Sequence, residues 1–287
     1  MDGVLIVNKP LNKTSFDVVR DVRKEYNTKK VGHIGTLDPM ASGVLPILIG
    51  KATKLSDLLM EHDKDYIATL KLGEKRDTGD QEGQVIEKSP IPDDLSEIKI
   101  INTLNTFLGD SFQIPPMYSA IKINGQKLYD LARKGETIER KPRPITITNI
   151  VLLNFNKDTN EIEFKVTCSK GTYIRVLCED IATKLNTCGY MSSLKRTRVG
   201  TFTIENENKF IEIKDIFTDI QTIEINQNDI KKLINGVPIK INSNNDLSND
   251  LDSNLKNGIC NLTSNGTYLG IGDIKNNSIK RKILTFI

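Results

Sequence analysis

Histidine and cysteine are scarce in this chain of 287 residues. The histidines are His33 and His62, and the cysteines are Cys168, Cys178, Cys188 and Cys260, with no CxxC among them. That set lacks the ligand spacings of a zinc centre. We expect no metal, and the reduced thiols of a cytoplasmic protein. No apolar run approaches the ~20 residues that span a bilayer. The opening MDGVLIVNKP has an acid at its second position and no small-residue cleavage site, so neither a membrane anchor nor a signal peptide is expected. There is no P-loop and no GxGxxG between a strand and a helix, and we expect no nucleotide cofactor. Charge of one sign is also nearly absent in sum, the net being +3.

The distribution of charge says more than its total. Residues 121–145 carry Lys122, Lys127, Arg133, Lys134, Arg140, Lys141 and Arg143 against Asp130, Glu136 and Glu139, and a second cluster holds Lys195, Arg196 and Arg198. Such patches suit a phosphate backbone, and they suit a solvated surface equally. An Asn/Ser/Asp tract at 242–257 has too little apolar surface to pack and reads as a mobile loop. Around it the chain forms two parts, 1–224 and 225–287. The second shows short strands parted by Asn-Gly and Asn-Asn turns.

Apolar spacing predicts a strand at the N-terminus that stops at Pro10. A helix follows, capped by Thr14 or Ser15, and another helix over 51–62. DYIATLKLGE alternates as a strand with Tyr66, Ala68, Leu70 and Leu72 on one face. Residues 74–94 read as loop, 96–108 as helix, and YSAIKING (118–125) as strand-like. Strands are expected at 145–155 and 161–168, a helix at about 173–186, and a strand in SLKRTRVGTFTI.

GHIGTLDPMASG is the most informative stretch. Its glycines allow turns and close approach to backbone, and Pro39 biases Asp38 towards an extended conformation. The outcome is a carboxylate held on a shaped loop, although an Asp-Pro pair can also do no more than cap a turn. In SKGTYIRVL, Arg175 stands near the start of a predicted helix, where the macrodipole disfavours a cation. Buried in that apolar run it would need an anionic partner, and Asp38 would serve. On an exposed face it would need none. Tyr66 is either a core aromatic or a stacking platform whose phenol could move a proton. His33 is either a loop histidine or a contact for a nucleobase or phosphate.

Taken together, these segments resemble the TruB family of tRNA pseudouridine synthases, which modify uridine-55 in the TΨC arm. The resemblance runs from residue 3 to about 205, through VNKP with TSFDVV, GHIGTLDPMASGVLPILIGKATKL, DKDYIATLKLG, DTGDQEG, QIPPMYSAIKINGQKLYDLARKG, KGTYIRVLCEDIA and LKRTRVGTF. It is weaker over the last 60 or so residues, where LGIGDI and KRKIL are similar to the family's PUA-type domain.

The resemblance implies an α+β fold: a mixed, mainly antiparallel sheet with flanking helices, then a small β-barrel-like domain. It implies Asp38 as the catalytic carboxylate, Tyr66 as the tyrosine stacked on the target base, and Arg175 as the partner of Asp38. His33 matches a histidine near the extruded nucleotide, and Lys9 and Pro10 match a motif that supports the tyrosine. Leu194 matches an apolar residue of the pocket, and Asp80 one near the tRNA loop. Tyr173 joins these as a substrate contact. The segment 121–145 becomes an RNA-facing insertion, with Lys122, Arg140 and Arg143, together with Lys195 and Arg196, holding the backbone. The implied protein is a cytoplasmic monomer acting on tRNA with no cofactor and no obligatory protein partner. Two other readings stand beside it: a guide-RNA-dependent synthase, and a non-catalytic RNA-binding or folding module.

Overall fold

A computed structural model describes residues 1–119, 121–123, 125–241 and 256–285, and the statements below concern those residues. The Asn-rich tract therefore lies almost wholly outside them.

The chain begins with β1 (Gly3–Lys9), α1 (Ser15–Glu25), β2 (Val31–His33), β3 (Ala41–Ile49), α2 (Ser56–Met60) and β4 (Lys64–Leu72). Next come β5 (Glu74–Arg76), β6 (Val85–Lys88), α3 (Glu97–Asn105) and β7 (Gly109–Gln113). A short excursion holds β8 (Lys122–Ile123), β9 (Gln126–Lys127) and α4 (Leu128–Ala132). The main structure resumes with β10 (Arg143–Asn156), β11 (Glu161–Cys168), α5 (Ile174–Lys184), β12 (Gly189–Val199), β13 (Phe202–Thr203) and β14 (Phe210–Glu212). The C-terminal part is β15 (Thr222–Glu224), α6 (Gln227–Ile234), β16 (Ile239–Lys240), β17 (Gly258–Ser264), β18 (Thr267–Lys275) and β19 (Ser278–Leu284).

The large sheet runs β14-β1-β3-β12-β4-β11-β10-β7, with β2 and β13 attached at β3 and β12. Every pairing in it is antiparallel except β3 with β12. That parallel join aligns Leu194, Lys195 and Arg196 with Ala41, Ser42 and Gly43. It seats the loop ahead of β3 at the centre of the sheet. Strict alternation in β4 turns Lys64, Tyr66, Ala68, Leu70 and Leu72 inward, as a strand with one buried face requires. They pack with Ile174, Leu177 and Ile181 of α5 and Ile100 and Leu104 of α3.

The expected mixed, mainly antiparallel α+β architecture is what forms. The small sheet, β15-β17-β18-β19-β16, curls into a half barrel. Its two long hairpins turn at Asn265-Gly266 and Asn276-Asn277, all four residues having positive φ, as tight hairpins demand. One face of this sheet closes its own core around Leu233, Leu262 and Ile279. From the other, Ile271 and Ile283 join Val4, Ile6 and Leu48 of the large domain.

Two expectations need correction. Residues 74–94 are not all loop: β5 and β6 pair as a hairpin. All four residues of β6 are exposed, so there was no alternation to read. Among the described residues of YSAIKING, Lys122–Ile123 pairs, with Gln126–Lys127, and the others stand outside any strand.

Candidate active site

The loop between β2 and β3 is fastened from four sides. Ser15, at the start of α1, donates through Oγ to the Leu37 carbonyl (3.0 Å) and accepts from the Leu37 N–H (2.8 Å). The Asn12 N–H donates to the Pro39 carbonyl at 2.8 Å. Lys9, wholly buried, donates from Nζ to the carbonyls of Lys13 (2.6 Å), Pro10 (2.9 Å) and Pro39 (3.4 Å). Arg196 reaches the Gly35 carbonyl at 3.0 Å. Between these anchors Asp38 projects a carboxylate that keeps 39% of its side-chain surface.

Arg175 meets it from α5. Its Nη2 lies 3.3 Å from Asp38 Oδ2, and its Nη1 lies 3.3 Å from Asp80 Oδ2. The guanidinium also donates to the carbonyls of Thr78 (3.0 Å) and Tyr118 (2.7 Å). Two carboxylates and two carbonyls thus offset a cation held near a helix N-terminus. Gln113 fixes the start of that helix: its Oε1 accepts from the Tyr173 N–H (2.7 Å) and its Nε2 donates to the Tyr173 carbonyl (3.1 Å).

Tyr66, Leu194, Leu37 and Met40 belong to one buried cluster beside Asp38. Burial pushes the Tyr66 phenol above its ordinary pKa, and the Arg196 guanidinium beside it pulls the other way. Burial, with help from Arg196, pushes His33 below its ordinary value. Its Nδ1 is buried, and the Gly35 backbone beside the ring opposes the shift. A neutral imidazole suits stacking on a base better than pairing with a phosphate.

Residues 23–174 match the TruB family pseudouridylate synthase N-terminal domain, and residues 175–237 match the tRNA pseudouridylate synthase B C-terminal domain. The chain belongs to the TruB family. The tRNA pseudouridine synthase B of Clostridium tetani is 48% identical over 252 residues, spanning 84% of this chain and 86% of its own. That of Clostridium acetobutylicum is 42% identical over 298 residues, spanning 99% and 100%. Among solved structures, a Cbf5-Nop10-Gar1 complex is similar in fold, with a TM-score of 0.66 and 24% identity over 94% of this chain and 78% of that one.

With the TruB family in view, the expected site positions Asp80, Arg196 and Lys9 are buried. Asp80, matched to a residue near the tRNA loop, is turned into the protein. It is 4% exposed and is the second carboxylate of Arg175, held by Thr78 Oγ1 (2.7 Å) and the Glu82 N–H (3.1 Å). Arg196 does not lie on the surface: it is 1% exposed and donates to Val44 O (2.7 Å) and Gly35 O. In a strand, neighbours point to opposite faces, so exposed Lys195 and buried Arg196 cannot share the backbone-holding role. Lys9 supports the aspartate loop and not the tyrosine, while the Pro10 ring is exposed and only its carbonyl takes part.

The remaining basic positions lie at the surface. Lys122, Arg143 and Lys195 are exposed, and Arg140 is partly engaged, donating to Pro115 O at 3.1 Å. Tyr173 is half-buried, and burial pushes its phenol up. Ser15, Asn12, Gln113, Thr78 and the Tyr118 carbonyl were not anticipated. Only Ser15 carried a sequence signal, as a possible helix cap.

Proposed function

We infer that this chain isomerises uridine to pseudouridine in tRNA, at position 55 of the TΨC loop, with Asp38 as the catalytic carboxylate. The observation that carries the reading is the meeting of Asp38 and Arg175 at 3.3 Å beside Tyr66, with Asp38 the exposed member of that group. In the reaction the C1′–N1 bond breaks, the uracil turns, and C5 joins C1′. The C5 proton leaves and N1 gains one, so electrons balance without an oxidant. Asp38 acts on the nucleotide as the glycosidic bond opens, and Arg175 keeps its carboxylate oriented. Tyr66 supplies a ring for the extruded base and a phenol within reach of it.

The target base must leave its stack, at a cost of a few kcal/mol that is smallest in a loop. Stacking on Tyr66 and His33 offsets part of this, and Leu194 closes the apolar wall. Lys122, Arg140, Arg143 and Lys195, with the half-buried Tyr173 behind them, form the surface that holds the T-arm. The segment 225–287 acts as a PUA-like RNA-binding domain. The enzyme works as a cytoplasmic monomer with no guide RNA or second protein. The test is to incubate the pure chain with a T-arm hairpin and map pseudouridine along it. Product at the single loop uridine is expected, and its absence unless other proteins are added would overturn the reading.

A further inference from the structure

Arg196 is the largest fully buried side chain among the described residues, at 1% exposure, followed by Lys9 at 0%. Among the described residues no carboxylate lies within ion-pair distance of it. A buried cation without a counter-ion is costly, and an apolar side chain of similar size is usually cheaper. The surrounding chain is nevertheless shaped to receive it. A Cβ on Gly43 would fall 2.0 Å from the Arg196 carbonyl oxygen, and one on Gly35 would fall 3.1 Å from its Nη1. Both glycines have positive φ, +109° and +72°. Gly35, in the loop, thus leaves room for the Arg196 guanidinium, while Gly43, in β3, leaves room for the Arg196 main chain.

Its position is equally specific. In the pairing of β12 with β4, Arg196 stands directly opposite Tyr66, so their side chains share the inward face. Two sides of the guanidinium go to the carbonyls of Val44 and Gly35. Its third neighbour is the Tyr66 phenol, opposite it across the two strands and close enough for the guanidinium to act on the phenol's ionisation.

We propose that Arg196 is a positioning residue that sets the polarity of the Tyr66 hydroxyl, donating to the phenolic oxygen so that the phenol's own proton faces the nucleotide held at Asp38. A guanidinium has five N–H donors and no acceptor, so the phenol oxygen can only accept from it. The hydroxyl proton is then left for the pocket. The other ionisable groups around the pair are Asp38 and Cys168 near Tyr66, and Lys9, His33 and Lys64 near Arg196. Of these, Asp38 opens to the pocket and can receive that proton or the substrate that carries it. The inference rests on the reading of Asp38 and Tyr66 as working groups of the site.

The test is a double-substitution cycle on tRNA under single-turnover conditions. Arg196→Lys keeps the charge but puts all its donors on one nitrogen, which cannot span the Val44 carbonyl, the Gly35 carbonyl and the phenol as the splayed guanidinium fork does. With Tyr66 present it is expected to slow the chemical step about tenfold or more, with KM little changed. In the Tyr66→Phe background the same change is expected to cost less than about threefold, because the group it acts through is gone. Losses that simply multiply would mean that Arg196 serves only the two carbonyls, and the proposal would fall. Should Arg196→Lys not fold, Tyr66→Phe alone decides. Exchange of the Arg196 guanidinium protons, followed by NMR, is expected to speed up about tenfold, and unchanged exchange would overturn the proposal. Asp38→Asn separates the two readings. An active Asp38→Asn protein would defeat the site assignment itself, whereas an inactive one together with a multiplicative cycle would defeat only the role of Arg196.

Discussion

The cations under the catalytic loop and those around its rim obey different physics. Lys9, Arg175 and Arg196 are buried and spend their donors on main-chain carbonyls and on two carboxylates. Lys122, Arg143 and Lys195 are exposed. A buried charge holds one geometry because losing its partner leaves an uncompensated group in a poor solvent. An exposed charge holds whatever phosphate arrives, and salt weakens it. On the proposed function, the floor serves the chemistry and the rim the capture, and each half can be broken separately.

The largest effect is expected at Asp38. Asp38→Asn removes the reacting charge while keeping the side-chain shape, and pseudouridine formation should fall by about 10³-fold or more. Binding of tRNA, measured by filter retention, should stay within about tenfold. Substantial turnover would show that the floor does not carry the chemistry. Arg175→Met comes next. It leaves Asp38 and Asp80 facing one another across the vacated space, and leaves the carbonyls of Thr78 and Tyr118 without their donor. Breaking a buried pair typically costs about 3–5 kcal/mol, so both a lower denaturation midpoint and a severe loss of turnover are expected. A variant with wild-type stability would mean the four-way contact is dispensable.

At the rim the expected effects are smaller and depend on salt. Lys122→Ala, Arg143→Ala and Lys195→Ala should each weaken tRNA binding while leaving single-turnover rates at saturation nearly intact. Each lost phosphate contact should flatten the plot of log affinity against log salt by about 0.7–0.9. A change in the saturated rate with no change in that slope would move the residue from the capture surface to the floor.

The same division explains what could be read from the sequence. Strands with one buried face announce themselves by alternation, as in DYIATLKLGE, and were legible. β7 was not, because four of its five residues are exposed. The parallel join of β3 and β12 is a tertiary fact that no local pattern encodes. In the site, Asp38 and Arg175 were legible because each was awkward locally: one sits before proline, the other at a helix start. Arg196 was misread because KRTR looks like a surface patch. The signal was nonetheless there. With Leu194 facing inward, the period of two turns residue 196 inward too and residue 195 outward. Asp80 gave no such clue, since its burial depends on Arg175 arriving 95 residues later in the chain.

The smallest effect tests whether a floor cation can be weakened without being removed. Burial pushes Lys9 down to about 8, with the nearby charge of Asp38 opposing the shift. In the unfolded chain the amine returns to its usual value of about 10.4. Between those limits the unfolded state binds more protons than the folded one, so stability should rise with pH across the window and level off above it. Below about 8 both states are protonated and the burial penalty is at its full value. Lys9→Met should remove this slope, and denaturant midpoints for the two proteins from pH 7 to 10 would show it. Activity should move the other way. A neutral amine has two N–H donors for three carbonyls, and the longest contact, 3.4 Å to Pro39 beside Asp38, is the first to be surrendered. Turnover should therefore decline above pH 8 while stability increases. Parallel trends in the two quantities would show that Lys9 holds the fold and not the aspartate loop.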